Sequence, residues 1–332
     1  MGLITAILAS NPHNTQPWQI SIDDGSFVLH ADTTRHLGAF DPYRREMWIG
    51  LGCAIANAEI AAPGFGFATE EPVIREGLNG FGTITLKIDK QAPKLHPLAA
   101  SISKRRTNRG KYETKAISKD ILSLVTTEMG EISGARVVFF DRDTKRGGSF
   151  AEATLRGTDA INADKEMSHD GHLWFRGTAR KVARYRDGVS VPTAGLSPFI
   201  SIMGQILPEA DVETSGNYWF ASTKRQLEYA GGFGLIMVDD LYSRSGQLAA
   251  GRLWQRIHLA LTKHDLAAHP MNQLPELVDR DRHLGTNRGW RETLTAIAGE
   301  DGHATFAFRY GVPTADVPHS ARRPLSWINA PL

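Results

Sequence analysis

The chain has 332 residues, 41% hydrophobic and 22% charged, and its 38 Lys and Arg stand against 36 Asp and Glu for a formal charge of +2. This composition belongs to an ordinary globular protein with ample length for a core, and it excludes collagen-like repeats, long disorder and a polyanion-binding surface, so nucleic acid is not an expected partner. The single cysteine, Cys53, rules out an internal disulfide framework and any cysteine-based zinc or iron–sulfur site.

In chain order, Met1 to Ala9 is apolar but has no Lys or Arg in front and runs into Asn11-Pro12-His13, which reads as the end of a helix rather than a signal peptide. Phe27 to Asp32 and Thr83 to Ile88 read as half-buried strands. Between Arg44 and Ala62, Trp48, Leu51, Ile55 and Ala58 recur at three- and four-residue steps, which predicts a buried helix stopped by Pro63-Gly64. Ala135 to Phe140 and Gly234 to Asp239 are short continuous apolar runs, expected of central strands covered on both faces. The stretch Asp187 to Gly216 mixes Pro192, Gly195, Pro198, Gly204 and Pro208 with apolar residues, and reads either as a loop folded over something or as a surface excursion. A second helix is predicted from Ser245 to His264, followed by a last strand, Ala304 to Tyr310, that alternates Phe306, Phe308 and Tyr310 with Thr305, Ala307 and Arg309. No apolar run approaches the ~20 residues that span a bilayer. The pairs Gly64/Gly66, Gly80/Gly82 and Gly232/Gly234 each lack the full dinucleotide-binding fingerprint, which disfavours a Rossmann domain.

Three segments carry concentrated polar chemistry. Ser10-Asn11-Pro12-His13-Asn14-Thr15-Gln16-Pro17-Trp18 crowds hydrogen-bonding side chains between two prolines that fix the backbone. It offers amides and an imidazole to a planar polar partner, or else is a helix cap and turn with no ligand. Lys104-Arg105-Arg106-Thr107-Asn108-Arg109 holds four cations in six positions, suited to phosphate oxygens or to a solvated face. At the carboxy-terminal end stand Arg309-Tyr310-Gly311 and Arg322-Arg323-Pro324. His169, His172, His258, His264 and His269 have no metal-ligand spacing, so no metal is expected. No Gly-x-Ser-x-Gly marks a nucleophile, and Glu70-Glu71, Asp239-Asp240, Asp279 and Asp281 read as element ends and solvated turns.

Taken in order, His13 to Trp18, Asp41-Pro42-Tyr43-Arg44-Arg45-Glu46, Gly50-Leu51-Gly52-Cys53-Ala54, Arg105 to Arg109, Arg309-Tyr310-Gly311 and Arg322-Arg323-Pro324 resemble the nitroreductase family. The chain looks most like its Acg-like branch, in which two nitroreductase-like halves are fused. The resemblance implies an α+β sandwich of two pseudo-dimeric halves, 1–100 and 101–332, with a lid at 187–216. It implies FMN as cofactor, its phosphate bound by Arg105, Arg106 and Arg109 with help from Arg322 or Arg323. His13, Asn14 and Gln16 would face the flavin ring, Asn11 would stand where the family has a serine, and Ala268 and His269 would approach its N5/O4 edge. No residue is assigned a catalytic role.

The implied activity is hydride transfer from NAD(P)H through the flavin to nitroaromatic or quinone-type acceptors. The alternative is an Acg-like protein that sequesters flavin under its lid with little or no reductase activity. Where relatives have Gly at the end of the long helix, this chain has Asp265. The implied state is a monomer with an internal pseudo-dimer, or a homodimer. A cytoplasmic location is expected, with an export signal removed upstream of residue 1 left open.

Overall fold

Alternation in the first third of the chain builds an antiparallel sheet. In the computed structural model, which describes residues 2–23, 25–77, 81–195, 211–299 and 302–330, this sheet contains β1 (Trp18–Asp23), β2 (Ser26–Ala31), β3 (Phe67–Thr69), β4 (Val73–Glu76) and β5 (Gly82–Lys90). β1 pairs β2, β2 pairs β5, and β5 also takes β3 and β4. Phe27, Leu29 and Ala31 of β2 point inward in alternation, as a sheet with one wet face requires. The opening residues form a 3-10 helix, Gly2–Leu8, in place of the expected helix end.

A second antiparallel sheet has the order β10 (Ala267–Pro270), β11 (His303–Gly311), β9 (Gly232–Val238), β6 (Ala135–Asp141). A short parallel pair, β7 (Phe175–Arg176) and β8 (Val189–Ser190), lies apart from it. The expectation of two central strands holds for β9, buried at every residue, and fails for β6, a half-buried edge strand. β11 corrects the reading in the other direction, since every residue from Ala304 to Gly311 is buried. Two cores explain this. Ile236, Val238, Phe306 and Phe308 face one core, whereas Phe233, Leu235, Met237 and Ala307 face another.

The helices are α1 (Arg45–Ala61), α2 (Lys119–Met129), α3 (Lys145–Ala163), α4 (Lys165–His172), α5 (Ala179–Tyr185), α6 (Val212–Glu228), α7 (Arg244–Lys263), α8 (Gln273–Leu284), α9 (Trp290–Ala298) and α10 (Leu325–Ile328). α1 is buried along its whole length and packs against α7 in the first core. Their backbones meet at Gly52 and Gly251, and a Cβ on Gly52 would come 3.0 Å from the Gly251 Cα. The second core lies between the other face of the sheet and α3, α8 and α9, where Phe150, Leu274 and Leu294 are buried. The chain is therefore α+β, with two antiparallel sheets and helices packed between and beside them.

Candidate functional site

A cavity of about 810 Å3 opens between α1, α6, the start of α8 and the polar turn after the first 3-10 helix. α1 presents Glu46, Ile49, Gly50 and Cys53 to it, at the spacing of one helical face. α6 presents Val212, Ser215, Trp219, Ser222 and Gln226 in the same way. The turn sits directly on α1 because residue 50 is glycine: a Cβ there would come 3.0 Å from Pro12 Cδ and 3.2 Å from Asn11 Cβ.

The turn is held in an unusual backbone. His13, Asn14 and Gln16 have φ of 45°, 56° and 52°, the left-handed region that costs L-residues roughly 1–2 kcal/mol each. Side-chain clips stabilise it. Asn14 Nδ2 donates to Ala321 O (2.9 Å) and Gly188 O (3.3 Å), and its Oδ1 accepts from Arg322. Gln16 Nε2 donates to Arg186 O (2.9 Å), and its Oε1 accepts from Arg323 N (2.7 Å). These two amides are thus committed to fastening the turn to 186–188 and 321–323. Asn11 and His13 line the cavity. Burial, reinforced by Arg109, pushes the His13 imidazole down to about 4, so it is neutral.

The basic run splits in direction. Arg105 turns inward and donates through Nη2 to Leu8 O (3.1 Å), while its Nε and Nη1 have no partner. Arg322 comes to the same place from the other end of the chain, donating to Leu8 O (3.4 Å) and Ala9 O (3.2 Å), with its Nε unpartnered. Among the described residues no carboxylate pairs with either. Burial lowers the Arg105 guanidinium to about 10; burial and the neighbouring Arg105 lower Arg322 to about 9. Arg106 turns away, toward His319 (3.1 Å) and Val317 O (3.0 Å), and Arg323 donates to Trp327 O (2.9 Å). Arg109 lines the cavity and donates to Thr193 O (3.0 Å).

β10 meets the basic run where Ala268 bridges Thr107. Ala268 is wholly buried, and His269 beside it lines the cavity. Burial, then Arg309 and Arg109, keep the His269 ring well below its usual range, and its Nδ1 accepts from Arg309 Nε (3.4 Å). Asp265, in the turn before β10, adopts the left-handed conformation (φ 56°) that its place required. Arg309 is buried in the fold itself. It gathers the carbonyls of Gly110 (2.7 Å), Tyr229 (2.9 Å), Gln226 (3.1 Å) and Asn108 (3.4 Å) and lies 4.0 Å over the Tyr112 ring.

At another end of the cavity stands an acidic group that the sequence did not expose. Glu46, at the start of α1, accepts from Asn272 Nδ2 (2.9 Å) and lies against Glu276 of α8. Burial holds both carboxyls well above the usual glutamate range, reinforced by Asp41 and Asp279 at Glu46 and by Glu46 at Glu276. Asp41 caps α1 by accepting from the N–H groups of Glu46 (3.0 Å) and Met47 (2.9 Å). Asp279 and Asp281 correct the reading as solvated turns, because both are buried in α8. Asp279 pairs with Arg45 (2.7 Å), and Asp281 accepts from Arg288 N (2.8 Å). Leu274, Leu277 and Val278 were the available signal for this helix, with Pro275 allowed in its first turn. Among the described residues no group of three or more His, Cys, Asp or Glu is placed to hold a metal ion. No described helix is long and apolar enough to cross a membrane. Of the stretch 187–216, Val189, Val191 and Ala194 and the start of α6 form part of the cavity wall, whereas 196–210 lie outside the described residues.

No family model and no curated protein matches the chain. Solved structures similar to it include a nitroreductase with bound FMN from Bacteroides fragilis, 14% identical, covering 66% of this chain and 89% of that one at a TM-score of 0.39. Another is the FMN-dependent nitroreductase NfnB from Mycobacterium smegmatis in complex with NADPH, with 14% identity, 69% and 95% coverage and a TM-score of 0.45. A third is a putative nitroreductase in complex with FMN from Desulfovibrio desulfuricans, with 16% identity, 72% and 99% coverage and a TM-score of 0.37. These are distant likenesses, and the fold stands on the strands and helices described above.

Proposed function

We propose that the chain is an FMN-binding, nitroreductase-like oxidoreductase that passes hydride from NAD(P)H to nitroaromatic or quinone-type acceptors. The observation that carries this is the Arg105–Arg322 pair: two buried guanidiniums side by side, three N–H-bearing nitrogens without partners, and, among the described residues, no carboxylate paired with either. Burying unpaired charge costs several kcal/mol per ion, and a bound anion offsets that cost. The phosphate of a mononucleotide matches the requirement, since guanidinium forks bind its oxygens in pairs. The pair converges at Leu8 O from residues far apart in the chain, next to the turn whose Asn11 and His13 line the cavity.

FMN, when bound, supplies reversible two-electron hydride chemistry. The chain's own residues do the rest. Arg105 and Arg322 hold the phosphate. Arg109 places a cation in the cavity wall, where the negative charge of a reduced flavin is stabilised by such a group. His13 and His269, kept neutral, offer hydrogen bonds without adding charge. Phe40, Trp174 and Trp219 exclude water from the same space. The α1–α7 crossing at Gly52 and Gly251 supports the view of two halves, 1–100 and 101–332, packed in one chain.

A second reading, the Acg-like flavin-sequestering protein, is favoured by one feature: Val189, Val191 and Ala194 wall the cavity while Gly188 and Thr193 are tied to Asn14 and Arg109. One experiment separates the two. The purified protein should take up FMN and turn yellow, and anaerobic NADH or NADPH should bleach it within seconds. A yellow protein that stays oxidised supports sequestration, and a protein that takes up no FMN ends both readings.

A further inference from the structure

The flavin reading leaves one end of the cavity without a task. Along α1, Glu46 lies seven residues before Cys53, about 10 Å at 1.5 Å per residue, and both line the cavity. Cys53 lies close enough to Arg105 to feel its charge, so the acidic end is two helical turns from the phosphate end. Glu46 and Glu276 are each 5% exposed and bear directly on one another. Beside them Gln273, 4% exposed and also in the wall, has a side-chain oxygen with no partner.

The charged groups facing the pair are Arg45, Asp41 and Asp279. Arg45 hydrogen-bonds Asp279 and the Thr305 carbonyl and has one nitrogen, Nη2, without a partner, and Asp41 accepts from two backbone N–H groups. One cation thus stands against two aspartates and the glutamate pair. Arg109 is the one Lys or Arg among the described residues of the cavity wall, and Phe40 stands near Trp219, ring centres 6.4 Å apart, with Tyr218, Trp174 and Phe175 in the same wall. Carboxylate, amide acceptor and aromatic surface together match a donor-rich cation on a flat ring.

We propose that this end of the cavity is a subsite for an organic cation carried on an aromatic frame, with Glu46, Glu276 and the Gln273 oxygen facing the charge and the aromatic wall taking the ring. As a statement about substrates it rests on the flavin reading, and it makes the preferred acceptor a cationic one; as a statement about binding it is tested separately. Calorimetric titration of the full chain with benzamidine, with neutral benzamide and with benzoate gives the comparison, and flavin absorption of the same samples records FMN uptake.

Benzamidine should bind at least about tenfold more tightly than benzamide, with benzoate weakest. The preference should grow as pH rises toward about 8, as the raised Glu46 carboxyl ionises. Glu276→Gln and Glu46→Gln should each remove the preference and leave benzamide binding unchanged. Should either variant fail to fold, the pH dependence of the native chain decides. Equal binding of benzamidine and benzamide, a preference independent of pH, or one that survives both substitutions overturns the subsite. A chain that prefers benzamidine without taking up FMN upholds the subsite and overturns the flavin reading; uptake of FMN without the preference does the reverse.

Discussion

On the flavin reading, Arg105 and Arg322 make opposite demands on the cofactor-free and the loaded protein. Their guanidiniums are held below the ordinary arginine value by burial and, for Arg322, by its neighbour, so the folded state disfavours the charged forms. The cost is present at neutral pH and fades only as pH rises through about 9 and about 10, where the folded groups lose their protons. Arg105→Met keeps the apolar stem and removes the charge. It should weaken FMN retention by about 1.5–3 kcal/mol, roughly 10- to 150-fold, yet raise the melting temperature of cofactor-free protein. Inorganic phosphate should raise that temperature in the native chain and not in the variant. A variant less stable than the native chain without cofactor would make Arg105 a structural prop. The sequence displayed these cations but not their directions. That Arg105 and Arg109 turn inward while Arg106 turns out follows from the bridge between Thr107 and Ala268, a contact between segments 161 positions apart. The amides of Asn14 and Gln16 were equally visible, and their carbonyl partners at 186, 188 and 321 were not.

At the level of elements, α1 and α7 were legible because their apolar residues recur with the helical period and end at Pro63-Gly64 and His264. β9 was legible as a continuous apolar run, whereas β6 has a run of the same kind and lies at the sheet edge, because composition does not reveal which strand lacks a neighbour. What composition also concealed was the reason for Gly251. A Cβ there would meet the Ile49 carbonyl well inside van der Waals contact, so Gly251→Ala forces α1 and α7 apart. Overpacking of this kind costs about 3 kcal/mol or more, measurable as a shifted denaturant midpoint. The Glu46–Glu276 contact between α1 and α8 makes a prediction with a definite sign. Both folded carboxyls sit above their unfolded value, so the native state binds extra protons and loses stability as pH rises from the ordinary 4.5 toward about 8. Glu46→Gln removes part of that loss, and its melting temperature relative to the native chain should climb across the same interval. A constant difference would show that the pair does not titrate there.

Across the whole molecule, Arg45 and Asp279 join the first third of the chain to the last, with side chains 1% exposed and 2.7 Å between charged atoms. Asp279→Asn removes the carboxylate that Arg45 hydrogen-bonds, leaving Asp41 and Glu46 as its acidic neighbours, and should cost about 3–5 kcal/mol in chemical denaturation. A loss below about 1 kcal/mol would mean that the Thr305 carbonyl suffices. The clasp on the polar turn has a different kind of consequence. Asn14 and Gln16 are fastened by Ala321, Arg322 and Arg323, and Arg309 closes the carbonyls of 108–110 and 226–229. On the flavin reading, a growing polypeptide in which residues 309–323 are not yet made lacks both fasteners, so it keeps a nucleotide only once they have been added.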